Sequence, residues 1–213
     1  MTAAPLTRTC VTTDGLALEA EYAPSATQPP HAGAVLCHPH PAYGGTMRSI
    51  VISALFDALP PLGVACLRFN FRGVEGSEGL HSGGDDEPLD VIAALDVLTS
   101  ELHPAVPVTL VGWSFGADVA LTIADDRLTG WVAIAPPLRY TRATATVATD
   151  ERPKLLVLAE HDEFRAPADI EAETAAWAHT TRVVVPGASH FFVGRTDRVT
   201  DAVAGFLLPD AGS

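Results

Sequence analysis

The sequence predicts an α/β fold with a mostly parallel central sheet, helices on both faces and an antiparallel hairpin at the N-terminus. Short apolar runs alternate with longer amphipathic segments along most of the chain, as they do in βα units. The later apolar runs are continuous, which is typical of strands covered on both faces. The first two strand candidates are separated only by a short turn, so we expect them to pair antiparallel.

The N-terminal hairpin consists of two alternating stretches joined by Asp14-Gly15, a strong hairpin turn signal. Six further strands are predicted, in the order AVLCH, VACLRFNF, VTLVGW, WVAIA, KLLVLAE and RVVVP. Helices are predicted over 47–59, 88–102, 115–125, 168–178 and 198–207. A chain of 213 residues with 47% hydrophobic content can bury one sizeable core, so we expect a single domain over 1–213.

Charge and composition limit the classes of partner. The net charge is -13 and Lys154 is the only lysine, which argues against a nucleic-acid surface. No segment approaches the roughly 18 apolar residues of a membrane span, and the N-terminus lacks a signal-peptide core. We therefore expect a cytoplasmic protein with no membrane partner. The three cysteines are widely spaced and are expected to be buried small hydrophobes.

A G-x-S-x-G motif follows the strand VTLV and precedes an apolar helix. It consists of Gly112, Trp113, Ser114, Phe115 and Gly116. In this strand–turn–helix context the motif lifts the serine hydroxyl above the sheet, where it can act as a nucleophile. A glycine-lined turn with a capping serine is the alternative explanation.

A nucleophilic serine needs a base and an acid that orients the base. Asp162 lies in the loop after the strand LLVLAE, and His190 lies in the loop after VVVP. Ser114, Asp162 and His190 thus follow one another in the order nucleophile, acid, base, each just beyond its own strand. This coincidence is more specific than any single motif.

Two neighbouring residues compete for these roles. Glu160 is an alternative acid and His161 an alternative base. We favour Asp162 because Glu160 still belongs to the apolar run. We favour His190 because we expect it to open the final helix from a small-residue turn.

The stretch AVLCHPHPAYGGTM places two histidines between two prolines. Proline has no N–H, so Pro39 and Pro41 leave His40 as the amide donor between them. A tetrahedral intermediate needs two donors for its oxyanion, one from this loop and one from the residue after the nucleophile. We expect the backbone N–H groups of His40 and Phe115 to supply them.

The pair His38 and His40 also raises the possibility of a metal site. A metal would need a third ligand, for which His161 or Asp162 could be imagined, and an open position. That interpretation leaves Ser114 unexplained, so we expect no metal and no cofactor.

Arg68, Asn70 and Arg72 lie at the end of another strand. They are interpreted either as a rim of the cleft or as structural ion pairs.

These motifs resemble those of the α/β-hydrolase superfamily, and more narrowly its small lidless bacterial branch of dienelactone-hydrolase-like serine esterases. The resemblance covers 34–208 and rests on CHPHPAYGGTM, RFNFRGVEGSEG, GWSFGA, EHDEF and GASHFFVGR, in the family's order. It implies an α/β-hydrolase fold with Ser114 as nucleophile, Asp162 as acid and His190 as base. Because the nucleophile is serine and not cysteine, ester hydrolysis is favoured over dienelactone hydrolysis.

The chain departs from the family pattern at three places. Ala159 stands where a glycine is usual, Arg48-Ser49 replaces an Asp-Asn pair, and Val193 occupies a position where many relatives carry another histidine. Only 136–153 separates two late strands at the place where this superfamily inserts its lid. We expect an open cleft and small or short-chain substrates.

The predicted function is hydrolysis of a small-molecule carboxylic ester through an acyl-enzyme. We expect Tyr43, Trp113 and Phe191 to contact the substrate. A thioesterase or a small peptidase would use the same three residues. A non-catalytic binding module is the alternative from a different class, since a fold does not imply a function.

Overall fold

The computed structural model describes residues 4–140 and 144–209. Its eight strands form one sheet in the order β1-β2-β4-β3-β5-β6-β7-β8. The strands are β1 (Leu6–Val11), β2 (Ala17–Ala23), β3 (Ala32–Cys37), β4 (Val64–Phe69), β5 (Val108–Trp113), β6 (Leu128–Ile134), β7 (Lys154–Ala159) and β8 (Thr180–Val185). β2 pairs antiparallel with both β1 and β4, and the remaining pairs are parallel. The predicted fold class is confirmed.

Six α-helices connect or follow the strands. They are α1 (Ile50–Ala58), α2 (Glu87–Ser100), α3 (Phe115–Ala120), α4 (Ala145–Thr149), α5 (Pro167–Glu173) and α6 (Thr196–Leu207). Short 3-10 turns cover Pro41–Tyr43 and Pro60–Leu62. None of the helices in the described ranges has the length and apolar character that a membrane crossing requires.

The core lies on both faces of the sheet. Alternate residues of β3 and β5 enter two different apolar clusters: Val35 and Leu110 pack beneath α2 and α3, whereas Leu36 and Val111 pack beneath α1 and α6. Both faces of these strands are therefore buried, which explains their continuous apolar sequence.

Several element ends differ from the sequence prediction. Helix α3 stops at Ala120 and not at residue 125; the apolar Ile123 that extended the predicted helix is buried in a turn instead. Strand β4 ends at Phe69, two residues before the predicted end, and the N–H of Phe71 bonds to the His38 imidazole and not to a neighbouring strand. Helix α5 covers only 167–173, and the short α4 was not anticipated.

The carboxyl ends of four parallel strands meet at one edge of the sheet. Cys37 of β3 is in register with Gly112 of β5, and Ala159 of β7 with Val185 of β8. The loops after these four strands carry the candidate site, as expected for an open parallel sheet.

Candidate active site

The serine of the G-x-S-x-G motif occupies a strained turn between β5 and α3. Ser114 has φ 55° and ψ -120°, a conformation that costs a non-glycine residue about 1–3 kcal/mol. Both motif glycines are required by close packing: a Cβ on Gly112 would lie 2.3 Å from the Gly116 carbonyl oxygen, and a Cβ on Gly116 would lie 2.3 Å from that of Cys37. The turn therefore holds the Ser114 backbone tightly against the neighbouring strand.

Three predicted site residues form one hydrogen-bonded line. Ser114 Oγ lies 2.9 Å from His190 Nε2, and His190 Nδ1 lies 2.8 Å from Asp162 Oδ2. All three side chains are buried or nearly so. The other carboxylate oxygen, Oδ1, accepts hydrogen bonds from the backbone N–H groups of Phe164 and Arg165. These bonds fix the carboxylate so that Oδ2 faces the imidazole.

Further contacts hold His190 in place. Its backbone N–H donates a 3.0 Å hydrogen bond to Glu163 Oε2, and its backbone carbonyl accepts a 3.2 Å hydrogen bond from Trp113 Nε1. The Phe164 ring lies against the imidazole, with centroids 4.5 Å apart. The contribution of Glu163 was not predicted from the sequence, because it depends on how the two loops pack against each other.

The two competing residues lie elsewhere. Glu160 accepts a hydrogen bond from the Gly187 N–H, and the His161 side chain is largely exposed. The expectation that His190 opens the last helix is wrong, because α6 begins only at Thr196. His190 lies instead in the loop that separates β8 from α6.

The two candidate oxyanion donors lie on adjacent loops. Within the described chain, neither the His40 N–H nor the Phe115 N–H has a hydrogen-bond acceptor. Their rings are in contact, with centroids 4.9 Å apart. Phe115 directly follows Ser114, and His40 lines the same cleft as Ser114.

His38 has a different environment from His40. It is fully buried, and burial lowers its pKa to about 3. Its Nε2 accepts a hydrogen bond from the Phe71 N–H, so the proton lies on Nδ1, which donates to the Pro39 carbonyl at 2.7 Å. Both ring nitrogens are therefore engaged within the protein. Among the described residues no group of three or more His, Cys, Asp or Glu side chains is arranged to hold a metal ion.

Comparison with solved structures finds the same fold in proteins of known class. One is an α/β serine hydrolase homologue from Coxiella burnetii, 31% identical, with a TM-score of 0.85 over 97% of this chain and 98% of that chain. The chain belongs to the α/β serine hydrolase family. An α/β serine hydrolase without a lid from Xanthomonas campestris is 26% identical, with a TM-score of 0.83 over 96% and 94% of the two chains.

A curated sequence relative is also found for this α/β serine hydrolase. It is an uncharacterised protein of Rickettsia prowazekii (strain Madrid E), 29% identical over 201 residues, which are 90% of this chain and 84% of the relative. No family model matches the chain.

Between β6 and β7 of this serine hydrolase, where a lid would be inserted, the described residues form only the short helix α4. The cleft above Ser114 is therefore open, with a volume of about 570 Å³. It is lined mainly by apolar and aromatic side chains, which are Tyr43, Ile50, Trp113, Pro137, Tyr140, Phe164 and Phe191. The three expected substrate contacts, Tyr43, Trp113 and Phe191, are among them.

A buried carboxylate holds one wall of the cleft. Asp118 accepts hydrogen bonds from the backbone N–H groups of Leu138, Arg139 and Tyr140, at 2.9, 2.8 and 3.0 Å. Burial raises its pKa to about 6, although these bonds and the nearby Arg139 charge act in the opposite direction. The only sequence signal for this role is an aspartate within the apolar helix α3, and its partners lie some twenty residues later in the chain.

Arg72 is a structural residue and does not line the cleft. Its guanidinium bonds to the buried Asp90 at 2.8 and 2.9 Å and to Asp14 at 3.1 Å. Of the two interpretations left open by the sequence, the structure favours the ion pair.

Proposed function

We propose that this serine hydrolase cleaves carboxylic esters of small or short-chain acyl groups through an acyl-enzyme on Ser114. The observation that carries the proposal is the hydrogen-bonded line from Ser114 Oγ through the His190 imidazole to Asp162. This line ends at the floor of an open cleft that Ser114 and His190 both line.

In the acylation step, Ser114 Oγ attacks the ester carbonyl carbon while His190 Nε2 takes its proton. Asp162 holds the imidazole in the tautomer with the proton on Nδ1 and stabilises the imidazolium that forms. The imidazolium then protonates the departing alkoxide, which leaves as the alcohol. The acyl group remains bonded to Ser114.

In the deacylation step, His190 Nε2 takes a proton from a water molecule, which attacks the acyl carbonyl. Collapse of the second tetrahedral intermediate returns the proton to Ser114 Oγ and releases the carboxylic acid. No cofactor takes part in this sequence of steps.

The N–H groups of His40 and Phe115 are the proposed donors to the oxyanion in both steps. Support comes from their free donors within the described chain, from the position of Phe115 directly after Ser114 and from the cleft that His40 and Ser114 both line. A donor of this kind contributes about 10²- to 10³-fold in kcat in other serine hydrolases.

The size of the cleft favours a small acyl group. Its volume of about 570 Å³ lies within the range typical of small-molecule sites, roughly 300–1,000 Å³. Its open form provides no long tunnel for an extended chain. A thioester or an aminoacyl group could bind to the same residues, so the leaving group has to be tested directly.

The test is a hydrolysis screen with p-nitrophenyl esters from acetate to decanoate, together with matched acyl thioesters and aminoacyl anilides. We expect turnover of the short esters by the wild type and by Ser100→Ala, since Ser100 is exposed at the end of α2. We expect Ser114→Ala to show no turnover of these esters. Turnover of thioesters or anilides without turnover of esters would contradict the ester assignment.

A further inference from the structure

The wall of the cleft held by Asp118 carries Arg139, whose ion pairing differs from that of most other arginines in the described ranges. Arg139 lines the cleft and is exposed. Within the described ranges, its guanidinium forms no ion pair with an Asp or Glu. Most other arginines of the same ranges do: Arg8, Arg48, Arg68, Arg72, Arg127, Arg152, Arg165 and Arg198.

Aromatic rings hold the guanidinium at the cleft. Its carbon lies 5.0 Å from the Tyr140 ring centre and 6.0 Å from that of Phe164. One nitrogen donates a 3.0 Å hydrogen bond to the Tyr140 hydroxyl. Because Arg has five N–H donors, several remain for a ligand.

The Arg139 guanidinium lines the same cleft as Ser114 and His190. The Phe164 ring, 6.0 Å from the guanidinium carbon, lies 4.5 Å from the His190 imidazole. The guanidinium carbon is therefore no farther from the centre of the imidazole ring than these two distances added together. Burial is the largest cause that lowers the pKa of His40, followed by His81, and the Arg139 charge acts in the same direction.

The backbone that carries Arg139 is also fixed in place. Leu138 has a positive φ of 51°, and Asp118 binds three consecutive N–H groups of 138–140. Burying a carboxylate is costly unless its hydrogen bonds are satisfied. Here the buried charge orders a surface segment that presents a cation to the cleft.

We propose that Arg139 binds a carboxylate on the substrate, so that the preferred substrates are esters that carry a second, free acid group near the scissile bond. This inference rests on the proposed ester hydrolysis. The apolar rings would contact the chain between the two groups, and the guanidinium would bind the far carboxylate with charge-assisted hydrogen bonds. A single guanidinium matches a single negative charge, whereas a phosphate group carries about -1.5 to -2.

The net charge of -13 increases the importance of Arg139 for binding an anionic substrate. Such a protein repels anionic substrates at long range. Selection of an anionic ester therefore depends on a local positive charge within the cleft.

The experiment compares two esters that differ by one charge, p-nitrophenyl hydrogen adipate and p-nitrophenyl hexanoate. The readout is the ratio of their kcat/KM values, corrected for spontaneous hydrolysis. We expect Arg139→Gln to lower the ratio by about tenfold to a hundredfold and Arg139→Lys to restore part of it. The control is Arg198→Gln, which removes the same charge from exposed α6 and should leave both rates unchanged.

A second pair of esters places the acid on the leaving group: 4-butyryloxybenzoate and its methyl ester. A loss of preference in Arg139→Gln for either pair supports the proposal and locates the carboxylate on the acyl or the alcohol side. Equal ratios in the wild type and Arg139→Gln for both pairs overturn it.

Failure of the proposed function would be seen separately, as absence of hydrolysis of every ester by the wild type. In that case, calorimetric titration measures the affinity for monomethyl adipate and tests whether Arg139 binds its carboxylate. Weaker binding to Arg139→Gln than to wild type and Arg198→Gln supports it. Equal affinities, or no binding, overturn it.

Discussion

The backbone N–H of Phe71 donates a 3.0 Å hydrogen bond to Nε2 of the buried His38. The bond joins the loop that carries His40 to the segment that follows β4, and the two aromatic rings pack edge to face. His38 is therefore part of the frame behind the candidate oxyanion donor. Its lowered pKa of about 3 keeps it neutral near pH 7.

Substitution of His38 should reduce stability according to whether an acceptor remains for the Phe71 N–H. His38→Gln retains an acceptor near the position of Nε2, whereas His38→Phe leaves the N–H unpaired at a cost of about 1–3 kcal/mol. Urea unfolding should therefore show a lower free energy of unfolding for His38→Phe than for His38→Gln. Equal stability would show that the hydrogen bond contributes nothing measurable.

Removal of the acid that orients His190 should slow catalysis strongly. In Asp162→Asn, an amide NH₂ group can face His190 Nδ1 in place of the carboxylate oxygen. A facing NH₂ donor favours the imidazole tautomer with its proton on Nε2, which cannot accept the serine proton. We expect kcat on a p-nitrophenyl ester to fall by about 10²- to 10⁴-fold.

The control for this experiment is Glu160→Gln, two residues earlier. Glu160 is hydrogen-bonded to the Gly187 N–H and not to the imidazole, so its kcat should fall by less than about tenfold. A larger loss for Glu160→Gln than for Asp162→Asn would assign the acid to Glu160.

The positions of the strands along the chain and the three residues of the hydrogen-bonded line could be predicted because they depend on local signals. Continuous apolar runs mark buried parallel strands, and Ser114, Asp162 and His190 each follow such a run. The two prolines around His40 leave it as the amide donor between them, and its role toward an oxyanion stays a prediction.

The helix ends and the remaining cleft residues could not be predicted, because they depend on contacts between distant segments. Phe192 extends the apolar pattern before the last helix, yet it is buried in a turn with a φ of 50°. The role of Asp118 depends on segment 138–140, and that of Glu163 on the His190 loop. The periodic pattern of apolar residues carries no information about these contacts between distant segments.

The buried Asp118 should make stability depend on pH. Its folded pKa of about 6 is above the unfolded value of about 3.9, so the folded protein binds this proton more tightly. Its contribution to the free energy of unfolding is greatest below the unfolded pKa and falls as pH rises through about 6. Between about pH 4.5 and pH 7.5 the loss is about 2 kcal/mol.

The measurement is urea unfolding of wild type and Asp118→Asn at both pH values. Because the variant cannot titrate, the stability of wild type relative to the variant should decline by that amount on going to the higher pH. A stability difference independent of pH would show that Asp118 does not titrate in this range.

Metal chelation should leave activity unchanged. Both ring nitrogens of His38 are engaged with backbone groups, and Nδ1 of His40 accepts a hydrogen bond from the Ala42 N–H. We therefore expect equal ester hydrolysis before and after dialysis against EDTA. Loss of activity that zinc restores would make His38 and His40 candidate ligands.

Covalent labelling shows whether Ser114 is the nucleophile. The protein is treated with a fluorophosphonate probe, and the modified residue is located by peptide mass spectrometry. We expect a single adduct on Ser114, absent from Ser114→Ala and formed much more slowly in His190→Ala, which lacks the base. An adduct on another residue, or labelling that persists in Ser114→Ala, would show that the nucleophile is elsewhere.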